Sequence, residues 1–387
     1  MSFPIDSLLF LSGCRIFIPK SFYSRVINTL LSIIMICVIL SNLILLIIEW
    51  HSMKNFVLVL LSLIVFFSGS IYFIIKIILK RNKIQDNVIQ VLKELPENKR
   101  KSFKRYSTFI TLMGFNFNFG FVICCSIHLI LWNSHDLFIG IRQAIIFSCS
   151  VFGSINNAMA LFYSLLQLIK IWEEFYFEKL EKKIKLQFIS KQLKSTSNSC
   201  NSSDTLSSII KQMIRDRQRM SRIKNEMVNF FGIVIVSWFL YTFLIISGWI
   251  VFNQANTGKL NFIVYYVLFF VGEGSVCGCL MLMMVLVDDI KEFVRNQSRL
   301  MIELFYSNFD DENQSNINFI LHYKITLKEF EKECNSFSFS PCGLFLFNKK
   351  LLLSFVTSII TFTALFVQIG NSISYYDNHV NRTELVN

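Results

Sequence analysis

Proline and charge are both scarce in this sequence. Only 4 prolines occur in 387 residues, at positions 4, 19, 96 and 341, all outside its long apolar stretches. Helices kinked by internal proline are therefore excluded. Charged residues make up 17% of the chain, whereas soluble globular domains carry about 25%. Because 53% of the residues are hydrophobic, the composition excludes a soluble protein and predicts a membrane protein.

The sequence also lacks a catalytic or metal-binding pattern. Its 5 histidines, at positions 51, 128, 135, 322 and 379, show no ligand spacing, and no nucleophile elbow occurs. Of the 10 cysteines, Cys277 and Cys279 are too close together for a structural zinc pair. We therefore expect no enzyme activity, no metal and no cofactor.

Long apolar stretches dominate what is present. A helix needs about 20 apolar residues to cross the hydrocarbon core. Seven stretches qualify: Val26–Ile48, Phe56–Leu79, Ser107–Leu131, Gln143–Ile169, Asn229–Phe252, Phe262–Val287 and Leu351–Ile373. The sequence predicts an all-α, polytopic protein with seven transmembrane helices.

The distribution of basic residues predicts the orientation. Of the 38 Lys and Arg residues, all but Lys54, Arg142, Lys259 and Arg382 fall on one side of the predicted spans. By the positive-inside rule, that side is cytosolic. The N-terminal segment 1–25 is thus cytosolic and the tail 374–387 extracellular. The net charge of +12 reflects this topology and does not indicate a nucleic-acid partner.

The long cytosolic connections have helical periodicity. The segment 170–228 is expected to form helices over Glu173–Leu193 and Ile209–Glu226, with a Ser/Asn-rich break between them. In segment 288–350 the helix continues past Asp288, breaks at Asn308–Asn316 and resumes as Ile317–Cys334. Spans four, five and six are therefore predicted to project into the cytosol as a helical bundle.

Two familiar classes of membrane protein fit poorly. A G-protein-coupled receptor has its N-terminus outside, which would place most of the basic residues outside as well. Asp216-Arg217-Gln218 lies within a loop and not at the end of a span, and the last span has no Asn-Pro-x-x-Tyr motif. A secondary transporter would show paired repeats and broken helices, and neither is visible. A metabotropic seven-helix receptor stays an alternative.

The last predicted span carries a polar stripe. Thr357, Thr361, Ala364, Gln368 and Asn371 recur every three or four residues, which places them on one helical face. The other face is apolar and carries Leu352, Phe355, Ile359, Phe362 and Phe366. Because an amide facing lipid is unfavourable, the stripe requires either a partner helix within the subunit or water. A pore formed by one helix per chain would require a symmetric oligomer.

A motif within this span suggests a family. The run from Thr361 to Ile369, with Phe362 and Gln368, resembles the seventh-helix signature of insect gustatory receptors: Thr-Tyr, five mostly apolar residues, then Gln-Phe. Upstream, Phe337-Ser338-Phe339 and the segment from Gly343 to Asn348 are similar to the region that introduces this helix in the same family.

The resemblance implies a tetrameric, ligand-gated, nonselective cation channel, similar in architecture to insect odorant receptors. Residues 26–287 would form a six-helix ligand-binding region with cytosolic extensions at 170–228, residues 288–350 an anchor, and residues 351–373 the pore-lining helix. Gln368 and Ile369 would lie at the constriction, with Ile369 as a hydrophobic gate. Thr363 occupies a position where sugar receptors usually carry an acid, which favours a bitter-type receptor.

The resemblance also implies the setting. The protein would be a multi-pass protein of the sensory-neuron plasma membrane, where it assembles with copies of itself or with related subunits and responds to a small-molecule tastant. A co-receptor subunit without its own ligand is a further alternative.

With this topology, the candidate ligand-binding residues come from the external halves of spans two to six, with two of them deeper. They are His128, Trp132, Gln143, Phe147, Ser148, Phe152, Tyr241, Trp249, Tyr265, Tyr266, Phe269 and Glu273. Aromatic walls with a few polar groups suit a small, partly apolar ligand. Glu273 is the only acid deep within a span, and it could instead be a structural acid held by Asn156, Asn157 or a tyrosine. Asn381 begins a glycosylation sequon in the external tail.

Overall fold

The computed structural model is helical over most of the residues that it describes. It describes residues 22–48, 57–132, 141, 144–145, 155–194, 202–255, 262–307, 317–336 and 338–384. The helices are α1 (Phe22–Ile48), α2 (Val57–Glu94), α3 (Glu97–Trp132), α4 (Ile155–Lys194), α5 (Ser202–Phe230), α6 (Gly232–Ala255), α7 (Phe262–Ser307), α8 (Ile317–Asn335) and α9 (Lys349–Glu384). A 3₁₀ turn, Pro341–Gly343, lies between α8 and α9. The all-helical fold class is confirmed over these residues.

Several helices are much longer than a membrane requires. Helices α2, α4 and α7 have 38, 40 and 46 residues, against about 20 for one crossing. Helix α7 ends at Ser307 and α8 begins at Ile317, on either side of the predicted break at Asn308–Asn316. Helix α4 runs without interruption through Ile169 to Lys194, so the helix predicted over Glu173–Leu193 is present as its continuation.

The segment 76–106 has more structure than the sequence predicts. Helix α2 continues to Glu94 and α3 starts at Glu97, so only Leu95 and Pro96 separate the two helices. Val88, Val91, Leu92 and Leu95 are buried. Their spacing of three or four residues gives the end of α2 an apolar stripe, which packs into the same bundle as α4, α5, α7 and α8.

The fifth predicted span is bent at its start. Asn229–Phe252 was expected to be one helix, but α5 ends at Phe230 and α6 begins at Gly232, with 44° between their axes. A Cβ at Gly232 would come within 3.2 Å of both the backbone nitrogen and the sulfur of Cys342. The bend therefore lies where the segment before α9 packs closely against the backbone of Gly232.

An aromatic core occupies the level of this bend. The ring of Phe231 lies 5.1 Å from that of Phe162 and 6.1 Å from that of Phe73, and Phe162 in turn lies 5.4 Å from Phe339. All four side chains are buried. Aromatic pairs at these separations stabilise a core beyond simple burial, so α2, α4, the α5–α6 bend and the segment before α9 are joined in one packed region.

Some of the described helices are long and apolar enough to cross a membrane. Two helical segments, Phe22–Leu45 and Leu60–Glu94, are long and apolar enough to cross a membrane. The bent pair Ser208–Phe230 and Gly232–Gly248 would be a third if it is counted as one span. Exposed Ile27, Leu30 and Ile34 on α1 agree with a helix that faces lipid. The count of seven spans and the orientation stay predictions.

Candidate functional site

A short, ordered connector introduces the last helix. Cys342 and Gly343 have positive φ values of 54° and 72°, a conformation that glycine adopts without strain. The N–H of Phe347 donates to the carbonyl oxygen of Phe339 over 2.9 Å, and their rings lie 5.4 Å apart. The Ser340 hydroxyl donates to the carbonyl of Phe345 over 2.9 Å. These contacts close a compact loop that presents the start of α9.

Polar groups from two directions fix the first turn of α9. The side-chain oxygen of Asn348 accepts a hydrogen bond from the N–H of Leu351 over 2.9 Å, as an N-cap does. From the middle of α7, the Asp288 carboxylate accepts the N–H of Lys349 over 2.7 Å. Asp289 pairs with the Lys349 ammonium over 2.9 Å, which raises the pKa of that lysine. Helix α9 is thereby tied to α7 where the predicted sixth span ends.

The apolar face of α9 packs on α6. The ring of Phe355 lies 4.1 Å from that of Phe239, and the ring of Phe362 lies 4.9 Å from that of Phe243. Phe355 is 3% exposed, and Ile359 is also buried. The predicted apolar face is therefore the face that contacts the rest of the chain.

The predicted polar stripe lies on the opposite, exposed side. Thr357, Thr361, Ala364 and Gln368 are all exposed. The hydroxyl of Thr357 donates to the Leu353 carbonyl and that of Thr361 to the Thr357 carbonyl, each over 2.9 Å. Both hydroxyl protons thus bond within the helix, and the oxygen lone pairs remain on the exposed face. No helix that the structure describes covers these four side chains.

Apolar side chains flank the polar stripe. Leu353 is 74% exposed, Ile360 is 64% exposed, and Leu365 is exposed as well. The uncovered surface of α9 is therefore polar along its centre and apolar along its edges. Ile369 and Asn371 lie on the same helix, but their side chains fall outside those that the structure describes.

Most candidate ligand-binding residues fall outside the described side chains. Only Tyr241 is described in full: it is 1% exposed, and its ring lies 4.8 Å from that of Phe66. It therefore belongs to the packed core between α2 and α6. His128, Trp132, Trp249, Tyr265, Tyr266, Phe269, Glu273 and Asn381 lie on helices whose side chains are not described there, whereas Gln143, Phe147, Ser148 and Phe152 lie outside the described residues.

A buried charge cluster, which the sequence analysis missed, lies in the bundle beyond the predicted spans. The Glu173 carboxylate accepts hydrogen bonds from Arg217 and from Lys224, each over 2.5 Å. The three side chains are 0%, 1% and 1% exposed. The Arg217 guanidinium carbon lies 5.4 Å from the ring centre of Tyr176 and 5.5 Å from that of Phe177. This buried cluster holds α4 to α5 and contains one more positive than negative charge.

The electrostatics of this cluster follow from its burial. Burial by itself would raise the pKa of Glu173, but the adjacent Arg217 and Lys224 charges outweigh that effect and hold it below its ordinary value. Burial lowers the pKa of Lys224, and Glu173 opposes this effect. Nearby Cys334 on α8 is buried, which raises the pKa of its thiol to about 11. The thiol is therefore protonated and unreactive at neutral pH.

A sequence signal for the cluster existed. The buried positions of α5 include Ile210, Met213, Met220 and Met227, spaced for one helical face. Arg217 lies on the same face, where an apolar residue would be expected. A charged residue on an apolar stripe indicates a buried partner.

Comparisons with known proteins bear on the fold. No protein-family model matches the chain, and no curated protein matches its sequence. Among solved structures, the insect olfactory receptor OR5 from Machilis hrabei, determined in complex with eugenol, superposes with a TM-score of 0.61. The match covers 94% of this chain and 97% of that chain at 13% sequence identity. The chain has the fold of an insect olfactory receptor.

This likeness spans nearly the whole of both chains, so it applies to the complete architecture and not to one helical pair. It agrees with the architecture that the motif in α9 implies. At 13% identity it shows the fold alone, and function must be argued from the site.

Proposed function

We propose that this chain is an insect gustatory receptor: a subunit of a tetrameric, ligand-gated, nonselective cation channel that opens when a small-molecule tastant binds. The observation that carries the proposal is the exposed stripe of Thr357, Thr361, Ala364 and Gln368 on α9. The olfactory-receptor fold and the gustatory signature between Thr361 and Ile369 support it.

The physical argument starts from the two faces of α9. Phe355 and Ile359 are covered by the chain's own helices, whereas the polar face is not. A stripe of hydroxyl and amide groups that faced lipid would be unfavourable, because these groups lose hydration there. Water along a symmetry axis satisfies the polar centre of that face, and neighbouring copies cover its apolar edges. Four copies of α9 around such an axis form a pore.

The gate follows from the signature. Gln368 offers amide groups to passing cations, and Ile369 forms a hydrophobic constriction that closes by dewetting. The connector and the contacts of Lys349 with Asp288 and Asp289 hold the base of this helix to α7. Movements of the ligand-binding helices thereby reach the pore helix through packed contacts.

The ligand class follows from the candidate pocket. The olfactory receptor in the comparison was determined with eugenol, a small aromatic molecule. Candidate residues such as Trp132, Phe152 and Tyr266 would offer aromatic walls to a small ligand. Thr363 at the position of the sugar-receptor acid favours a bitter-type tastant. Substitution of Glu273 by Gln should shift the dose–response curve if this acid contacts ligand, and an unchanged curve would assign it a structural role.

Current recording from cells that express this chain alone tests the function. We expect a cation current that rises with dose for a member of a bitter and sweet panel, and a purified particle with the mass of a tetramer. Tags accessible only from the cytosol at the N-terminus and only from outside at the C-terminus would support the channel topology. An external N-terminus would contradict it in favour of a metabotropic receptor, and current only with a second subunit would indicate a co-receptor.

A further inference from the structure

A cavity lies between α2, α4 and α5, away from α9 and outside the predicted spans. Its volume is about 380 Å³, within the range of roughly 300–1,000 Å³ typical of small-molecule sites. Its α4 wall is formed by Trp172, Phe175, Tyr176, Lys179 and Lys183, whose spacing of three or four residues places them on one helical face. The wall is therefore aromatic at one end and basic at the other.

The acid on the α2 side of the cavity already has its partners. The Glu94 carboxylate accepts the indole N–H of Trp172 over 3.1 Å and pairs with Arg219. This pair is neutral overall and closes one side of the cavity. It adds no net charge that would attract an ion.

The basic end of the cavity is not neutralised in this way. The Lys183 ammonium donates to the Gln212 side-chain oxygen over 3.1 Å, which is an uncharged partner. Lys179 has no ion pair among the residues that the structure describes. Lys179 and Lys183 are four positions apart on one helix, so their Cβ atoms lie about 6 Å apart. They can therefore bind one phosphate group together.

We propose that this cavity binds a soluble small anion that combines a phosphate with an aromatic ring, as a nucleotide does. The phosphate would bind Lys179 and Lys183, and the ring would pack on Phe175 and Tyr176. Asp216 lines the opposite wall and can accept hydrogen bonds from donors on the ring. A ligand bound in this way would contact both α4 and α5, the two helices that the buried charge cluster also connects.

The position of the cavity favours a soluble source over a lipid headgroup. From Ile169, where the fourth predicted span ends, to Lys179, helix α4 rises about 15 Å. The headgroup region extends only about 5–8 Å beyond the hydrocarbon core. This step depends on the spans of the proposed function, and the side of the membrane is the one predicted to be cytosolic. The binding chemistry depends on neither.

Binding of trinitrophenyl-ATP to the purified full-length protein in nanodiscs tests the site without any current measurement, so its result is separate from that of the channel proposal. We expect a saturable fluorescence signal that ATP displaces and adenosine does not. The double variant Lys179→Ala/Lys183→Ala should weaken binding by at least about tenfold, as expected when charge-assisted contacts are lost.

The chain offers a matched control on the same helix. The double variant Lys182→Ala/Lys185→Ala removes the same charge from outside the cavity and should bind as the wild type does. Absence of an ATP-displaceable signal, or equal weakening in both double variants, would overturn the proposal. Displacement by nanodiscs containing phosphatidylinositol bisphosphate but not by ATP would overturn it as well, in favour of a lipid headgroup.

Discussion

Substitution of Glu173 by Gln should strongly destabilise the helical bundle beyond the predicted spans. The side chains have nearly the same size, so no cavity results and the effect is electrostatic. In the native protein the carboxylate contacts both Arg217 and Lys224 at 2.5 Å. The variant leaves the like charges of Arg217 and Lys224 buried without the Glu173 carboxylate. Removal of one partner from a buried ion pair costs about 3–5 kcal/mol, and we expect a loss of this size.

A second substitution in the same cluster separates electrostatics from packing. Lys224→Met removes the surplus positive charge and leaves Glu173 paired with Arg217. Because the Glu173 carboxylate keeps Arg217 as its counterion, the variant leaves no buried charge uncompensated. We therefore expect it to lose much less stability than Glu173→Gln.

Thermal unfolding of the tagged full-length protein, followed by size-exclusion chromatography with fluorescence detection, measures both effects. A pH series adds a second readout. Because the pKa of Glu173 in the folded protein lies below its ordinary value of 4.5, its stabilisation is present above that value and is lost as the pH falls below it. The Gln variant should lack this component. Wild-type stability of Glu173→Gln, or an equal loss in Lys224→Met, would refute the reasoning.

Three further predictions concern other parts of the chain. Cys334 is buried and its thiol pKa is raised, so it should react with maleimide at pH 8 only after unfolding. Exposed Cys342 should react in the folded protein. Fast labelling of Cys334 in the folded state would argue against the bundle. Asp288→Ala removes an acceptor at the start of α9 and should lower stability by about 0.5–2 kcal/mol in thermal unfolding. Asp289→Ala removes only an exposed ion pair and should lower stability less; equal losses would contradict this difference. Ile369→Ala should raise the leak current in whole-cell recordings, and an unchanged basal current would assign the gate elsewhere.

Apolar periodicity made much of the fold predictable. The end of α7 at Ser307 and the start of α8 at Ile317 were expected because the polar segment between them interrupts a regular stripe. The burial of Phe355 and Ile359 was expected because their spacing defines one face of a helix. Such patterns involve residues that are close in the sequence, so these features can be predicted from the sequence alone.

Features that depend on contacts between distant segments were not predictable in this way. The bend between α5 and α6 lies within a continuous apolar sequence, and its geometry depends on the approach of Cys342 to Gly232. The burial of Val88, Val91 and Leu92 at the end of α2 depends on residues of α4 and α5 in the same core, which are distant in the sequence. The partners of Glu173 are 44 and 51 residues away along the chain, so only the tertiary structure brings them together.

Modification of a cysteine in the polar stripe by a charged aqueous reagent tests the central proposal most directly. In cells that express the channel, Thr361→Cys should lose ligand-gated current after treatment with a methanethiosulfonate cation, and Ile359→Cys on the packed face should be unaffected. If Thr361→Cys stays unmodified both with and without ligand, α9 does not line a water-filled pore.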